Sequence, residues 1–258
     1  MNLLFLGTCA CDYSPELQTT FKNRFDFNAR RSSCAILNGR YLIDCGEHAL
    51  ESIAIAGVDV SEITDIFITH LHSDHFNAKH IETLAKNCAR GVRLWVQEAA
   101  ELPPIGGVEL RRMKYGETYA VNEELRVTGL NANHDRNAYP QHLYFETASS
   151  SERFLYALDG AWLLNETYYF LKNKRLAFLV LDATVGDYNG DYRIAEHNSI
   201  PMIRMMLPSL KKWGVIAEDT KIYLSHLAPS LHKPHEETQA IVAEDGLRVA
   251  YDGLRVEF

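Results

Sequence analysis

Thr69-His70-Leu71-His72-Ser73-Asp74-His75 follows the apolar run Ile66-Phe67-Ile68 and packs three imidazoles and a carboxylate into positions 70–75. Neutral imidazole and carboxylate are the N and O ligands that suit zinc, manganese and iron. In an extended segment residues two apart share a face, so His70 and His72 are expected to close on one ion from the same side. Asp74 and His75 fall where the chain should turn and are expected to reach a second ion. A solvated polar loop accounts for a lone histidine. It does not account for His-x-His-x-Asp-His at the end of a β-like run, so the stretch reads as a metal site.

Outward from this loop the chain alternates short β-like runs with helical patterns. Strands are expected over 2–6, 34–37, 41–43, 65–69, 93–96, 124–130, 143–147, 153–158, 176–181, 221–224 and 247–251, most of them β-branched or aromatic and bounded by turn residues. Helices are expected over 48–56, 78–87, 162–172, 199–212 and 234–244. The last opens with Pro234 at a first helical position and Glu236-Glu237 just behind it. Hairpin-like strands mixed with intervening helices imply an α/β fold of two mixed sheets flanked by helices. No repeat, low-complexity tract or Pro/Gly linker divides the chain, so residues 1–258 read as one domain.

Composition sets the bounds. At 258 residues the chain can bury a sizeable core. It is 47% hydrophobic and 23% charged, as ordinary globular proteins are. A formal charge of −8 supplies no global basic field for nucleic acid, so no stable nucleic-acid complex is expected. Bound metal ions would still supply local positive charge. The start, Met1-Asn2-Leu3-Leu4-Phe5-Leu6-Gly7, lacks the basic n-region and long apolar core of a signal peptide. No run approaches membrane-span length, so no membrane partner is expected. The five cysteines, Cys9, Cys11, Cys34, Cys45 and Cys88, fit reduced thiols in the cytoplasm.

Three further ligand candidates stand where strands should end. His134 follows the run 125–130, Asp159 follows Phe154-Leu155-Tyr156-Ala157-Leu158, and His226 follows Lys221-Ile222-Tyr223-Leu224-Ser225. Site residues of α/β folds gather on loops outside strand ends, so these three form a coherent set with the His-rich loop.

Together these residues resemble the metallo-β-lactamase superfamily of metal-dependent hydrolases, whose fold is a four-layer αβ/βα sandwich. The likeness spans essentially the whole length: Leu6-Gly7-Thr8, Leu42-Ile43-Asp44-Cys45-Gly46, the His-rich loop, His134, Leu158-Asp159-Gly160 and Leu224-Ser225-His226. It implies two divalent ions, Mn or Zn with Fe a further option. His70, His72 and His134 would hold the first, Asp74, His75 and His226 the second, and Asp159 would bridge both. Asp instead of Cys as the bridge disfavours the antibiotic-hydrolysing branch, and Asp74-His75 in place of a His-x-Glu pattern disfavours the flavodiiron branch.

Within the superfamily the chain most resembles the cyclic-phosphate phosphodiesterases encoded with phosphonate (carbon–phosphorus lyase) systems. Arg30-Arg31-Ser32-Ser33-Cys34, Glu196-His197-Asn198 and Tyr251-Asp252-Gly253-Leu254 carry that likeness. It implies hydrolysis of a small-molecule phosphodiester, a cyclic nucleotide or cyclic sugar phosphate, by a metal-bridging hydroxide, with His197 as catalytic acid. Those enzymes also hold a structural zinc through an N-terminal cysteine cluster and a late His. Here Cys9 and Cys11 stand alone and Pro229 lies three positions past His226, so that accessory zinc is not expected.

A thioesterase, a lactonase or a transfer-RNA-processing endoribonuclease is the alternative, the last disfavoured by the acidic charge and the lack of a Gly- and Lys-rich arm. Keeping all seven candidate ligands argues against a non-catalytic metal-binding protein. A homodimer is one candidate assembly. Asp44 and Asp182 read equally as partners of ligand imidazoles or as turn residues. Arg30 and Arg31 are candidates for gripping phosphate, although solvated arginines are commoner. His48, His80, His142, His232 and His235 read as structural or exposed, and 12–28 reads as a pocket-covering loop without periodicity.

Overall fold

Strands rich in β-branched and aromatic residues build the frame, which the computed structural model describes for residues 1–149 and 152–258. Among these residues the strands are β1 (Asn2–Gly7), β2 (Cys34–Leu37), β3 (Tyr41–Ile43), β4 (Asp65–Phe67), β5 (Val92–Gln97), β6 (Val108–Met113), β7 (Thr118–Ala120), β8 (Leu125–Asn131), β9 (Gln141–Thr147), β10 (Arg153–Ala157), β11 (Phe178–Asp182), β12 (Lys221–Ser225), β13 (Arg248–Val249) and β14 (Arg255–Glu257). The α-helices are α1 (Pro15–Thr20), α2 (Ala49–Ala56), α3 (Ala78–Asn87), α4 (Asn165–Leu171), α5 (Ile200–Lys212) and α6 (His235–Ala243).

Two seven-stranded sheets result, in the orders β14-β1-β2-β3-β4-β5-β6 and β13-β12-β11-β10-β9-β8-β7. Both are mixed. β3 to β6 run parallel beside antiparallel β14, β1 and β2, and β10 to β13 run parallel beside antiparallel β7, β8 and β9.

Three apolar cores show how the layers stack. The central one joins Phe5, Ile43, Phe67 and Trp95 of the first sheet to Val127, Phe145, Phe154, Phe178 and Tyr223 of the second. An outer core packs Ile53 of α2 and Ile81 and Leu84 of α3 onto Leu4, Ile36, Ile66 and Leu94. The other packs Leu171 of α4, Ile203 and Leu210 of α5 and Val242 of α6 onto Leu155, Leu179 and Leu224. Helices, sheet, sheet, helices: this is the expected four-layer αβ/βα sandwich. No helix among the described residues is long and apolar enough to cross a membrane.

Several boundaries differ from the sequence reading, each for a local reason. The 65–69 strand stops at Phe67 because Asp44 takes over the Thr69 amide at 2.7 Å. The helix expected from 162 starts at Asn165, since Trp162 adopts a left-handed φ of 58°. Pro234 is the N-cap of α6 and not its first helical residue. The segment 12–28 is not all loop. It contains α1, capped by the Ser14 hydroxyl, and Arg31 Nη2 ties it down by donating to the Phe21 carbonyl at 3.0 Å.

Candidate metal centre

Ligand candidates gather at the carboxyl ends of β4, β8, β10 and β12, where open α/β sheets place their sites. Beyond Phe67 the chain turns sharply, with the His75 and Phe76 amides both donating to the His72 carbonyl. That turn folds His75 back against His70, their ring centroids 4.2 Å apart. Gly46 makes it possible, because a Cβ there would lie 1.8 Å from the Asp74 carbonyl oxygen.

Two groups form. His70 Nε2 stands 3.1 Å from His72 Nδ1, which stands 3.2 Å from His134 Nε2. His75 Nε2 lies 3.2 Å from His226 Nε2 and 3.3 Å from Asp74 Oδ2. Asp159 sits between them, with Oδ2 at 3.1 Å from His75 Nε2, and Oδ1 at 3.2 Å from His226 Nε2 and 3.8 Å from both His70 and His134 Nε2. Ligand atoms about 2.1 Å from a tetrahedral ion are spaced by roughly these separations. The structure thus brings together all seven residues singled out in the sequence, and the clusters could hold a metal ion.

The far side of each ring explains its orientation. His75 Nδ1 donates to Asp44 Oδ2 at 2.8 Å, and Asp44 also accepts from the Thr69 amide and hydroxyl. With its own proton on Asp44, the Thr69 hydroxyl can accept from His70 Nδ1 at 3.1 Å. Thr184 does the same for His226: its hydroxyl donates to the His226 carbonyl and accepts from Nδ1 at 2.7 Å. His134 Nδ1 donates to the Glu196 carbonyl at 3.3 Å. Each of these four rings therefore directs Nδ1 outward to an acceptor and turns Nε2 inward, where a bound dication would take its lone pair.

The electrostatics call for a cation. Asp44, Asp74, Asp159 and Asp182 are all buried, and their ion-pair partners here are histidines. Asp159 Oδ2 is buried with no hydrogen-bond partner. Burial pushes the His70 pKa well below its usual value and lowers that of His134. Burial also opposes charge on His75, but Asp159, Asp74 and Asp44 outweigh it and raise that pKa well above the ordinary. Unpaired buried charge is costly, and these donors suit a borderline N/O-binding dication.

His197 joins the site through Asp182. Its Nδ1 donates to Asp182 Oδ2 at 2.7 Å, and its ring lies 4.9 Å from that of His134 and 5.3 Å from that of His226. Burial disfavours the charged ring, yet Asp182 more than offsets this and lifts the pKa to about 9. Asn198 locks the assembly by donating to the Gly160 carbonyl and accepting from the Trp162 amide. Asp44, Asp159 and His226 all hold left-handed backbone, with φ of 62°, 52° and 57°.

Other sequence readings need correction or placement. Arg30 and Arg31 neither grip the site nor face solvent; both are buried, and Arg31 pairs with Glu51 at 2.8 Å. Asp44 and Asp182 orient His75 and His197. Thr184 and Asn198 were not anticipated, since nothing local marks a Thr or Asn that will meet partners dozens of residues away. Cys9 is buried in the bridges to Ser32 and Leu227, and Cys11 is exposed. His48 bonds Ser32, His80 donates to the Gly46 carbonyl, and His142 is buried with both ring nitrogens unpartnered.

Comparison with known proteins places this geometry. Residues 1–94 match the family model described as anti-Pycsar protein Apyc1. Over 75 residues the chain is 39% identical to ribonuclease Z of Methanothermobacter thermautotrophicus, covering 29% of this chain and 21% of that protein. The match thus spans about a fifth of that relative's length. A diphosphatase of the PhnP family superposes with a TM-score of 0.71 at 18% identity, over 100% of this chain and 96% of that one. The metallo-β-lactamase fold protein YhfI of Bacillus subtilis gives 0.73 at 13% identity, over 100% and 98%. The expected resemblance is borne out at the level of architecture: this chain has the metallo-β-lactamase fold.

Proposed function

We propose that the chain is a dimetal-dependent hydrolase, a phosphodiesterase acting on a small cyclic nucleotide or cyclic sugar phosphate. One observation carries the reading. Nε2 of His75 and Nε2 of His226 meet 3.2 Å apart, with the buried Asp159 Oδ2 3.1 Å from the first, a convergent N/N/O donor set at the spacing a dication takes up. His70, His72 and His134 would hold one ion, Asp74, His75 and His226 a second, and Asp159 would serve both. Such a pair supplies an acidified water and a clamp on the oxygens of an in-line displacement.

The chain's own residues do the rest. Asp182 accepts a hydrogen bond from the Nδ1–H of His197, which leaves the other N–H of the imidazolium, on Nε2, free to be given up. A phosphodiester departs as an alkoxide and needs a proton, so a positioned acid next to both ligand groups suits this reaction. Asp44 fixes the tautomer of His75. Replacing Asp44 with Asn, which tolerates the left-handed backbone there, should weaken metal binding by about 10–100-fold, the usual worth of such a partner. Titration with a chromophoric chelator reads this, and unchanged affinity would remove Asp44 from the site.

The partial likeness to a ribonuclease Z favours a second reading, an endoribonuclease. A panel run after Mn or Zn reconstitution separates the two: cyclic nucleotides, cyclic ribose phosphates, an aryl phosphodiester, a phosphomonoester, a precursor transfer RNA, thioesters and lactones. The small phosphodiesters should turn over, with little action on the monoester. Preference for the RNA selects the second reading, and hydrolysis of thioesters or lactones with none of aryl phosphodiesters overturns both.

A further inference from the structure

Arg30 is 5% exposed, yet the hydrogen bonds of its guanidinium all go to neutral groups: Thr8 Oγ1 at 2.6 Å, the Ala250 carbonyl at 2.6 Å and His235 Nδ1 at 3.1 Å. Its link to the buried Asp252 runs through the Thr8 hydroxyl, which donates to Asp252 Oδ1 at 2.7 Å. Burial lifts the Asp252 pKa to about 6, so this carboxylate is largely charged at neutral pH but meets Arg30 only through the Thr8 hydroxyl. A buried guanidinium with no carboxylate in direct contact keeps charge that a second anion can meet.

Space for one exists. Arg30 lines a cavity of about 210 Å³ together with Asn28, Leu227, Lys233 and His235, room for several waters or a hydrated oxyanion. His235 is fixed there: its ring stacks on Phe27 at 5.0 Å and meets Tyr251 edge-on at 5.4 Å. Because a guanidinium only donates, His235 Nδ1 must accept, and the proton of the neutral ring lies on Nε2. Burial and the Arg30 charge lower the His235 pKa, in keeping with that neutral form. Glu236, next in sequence, is the local opposing charge. The wall thus includes a buried arginine, a lysine and a histidine whose ring proton is preset on Nε2, beside the apolar Leu17, Pro229 and Pro234, and none of the seven proposed metal ligands lines it.

We infer that this cavity is a second anion site, built for a phosphate-sized oxyanion and independent of the metal centre. Its ligand is a free phosphate or the phosphoryl group of a small metabolite. Arg30→Ala could fail to fold, so the test uses His235→Leu and Lys233→Met in the metal-loaded full chain. Equilibrium dialysis with radiolabelled inorganic phosphate at constant ionic strength should show each variant losing one phosphate per chain, or holding it at least tenfold more weakly. Phosphate at the metal centre is common to all three proteins and subtracts out. Sulfate should compete and chloride at equal ionic strength should not. Displacement by a nucleoside monophosphate more readily than by free phosphate would identify the metabolite source. Equal uptake by wild type and both variants, or equal displacement by chloride and sulfate, overturns the site.

Discussion

Asp159→Asn is expected to retain at most one tightly bound ion per chain and to lose turnover by about 10²–10³-fold or more, the range found when one preorganised electrostatic contact is removed. Among the described residues, Asp159 is the only carboxylate that approaches both groups, at 3.1 and 3.2 Å on one side and 3.8 Å on the other. Asn is the informative substitution. Asp159 lies at φ 52°, a conformation that Asn tolerates and that costs Ala about 1–2 kcal/mol. Asp159→Ala would mix backbone strain with ligand loss. Elemental analysis after reconstitution is the direct measurement, with thermal unfolding as the check on folding. Full two-ion content in Asp159→Asn, with wild-type turnover, would sink the bridging assignment.

His197→Ala should cut turnover of a cyclic ribose phosphate by roughly 10²–10⁴-fold, the usual contribution of a positioned acid. Metal content should stay unchanged, because His197 reaches the ligands through Asp182 and not as one of the seven. The loss should shrink for an aryl phosphodiester leaving as nitrophenolate, which scarcely needs a proton. Asp182→Asn should show the same dependence on leaving group in weaker form, since Asn can still meet Nδ1 but cannot stabilise the imidazolium. Equal losses on both substrates would make His197 a positioning residue. Metal loss in His197→Ala would make it a ligand, an outcome with a structural route because Asp159, Asp182, His197 and His226 also converge.

The convergence of the seven candidate ligands was legible because its signals were local and chemically unusual. Four of the seven residues lie in one loop, and the other three follow apolar strands that announce themselves. The cores were legible for the same reason: β2 and β3 match their expected spans, as does α3, whose buried Ile81, Leu84 and Ala85 mark one face. What escaped was either exposed or distant. β6 carries Glu109, Arg111 and Arg112 on an exposed edge, and α1 buries none of its six residues, so neither shows apolar periodicity. β14 exists because residues near 256 pair with residues near 3. The burial of Arg30 and Arg31 was hidden in the same way. Their partners Thr8, Glu51, Ala250, Asp252 and His235 lie from about 20 to 220 positions away, and charge in a sequence reads as solvent until those partners are known.

Left-handed backbone at Asp44, Asp159 and His226 sets stability and chemistry against each other. At each position the main chain would be more comfortable with glycine or asparagine, and each side chain is one that the proposed site uses. Selection for expression or heat resistance alone would therefore reward drift at these three places, with fold intact and chemistry gone. Side chains that a protein keeps against the preference of its own backbone record what it has been selected to do. In a library enriched only for folding, positions 44, 159 and 226 should be among the first to relax, and in one enriched for turnover they should be among the last.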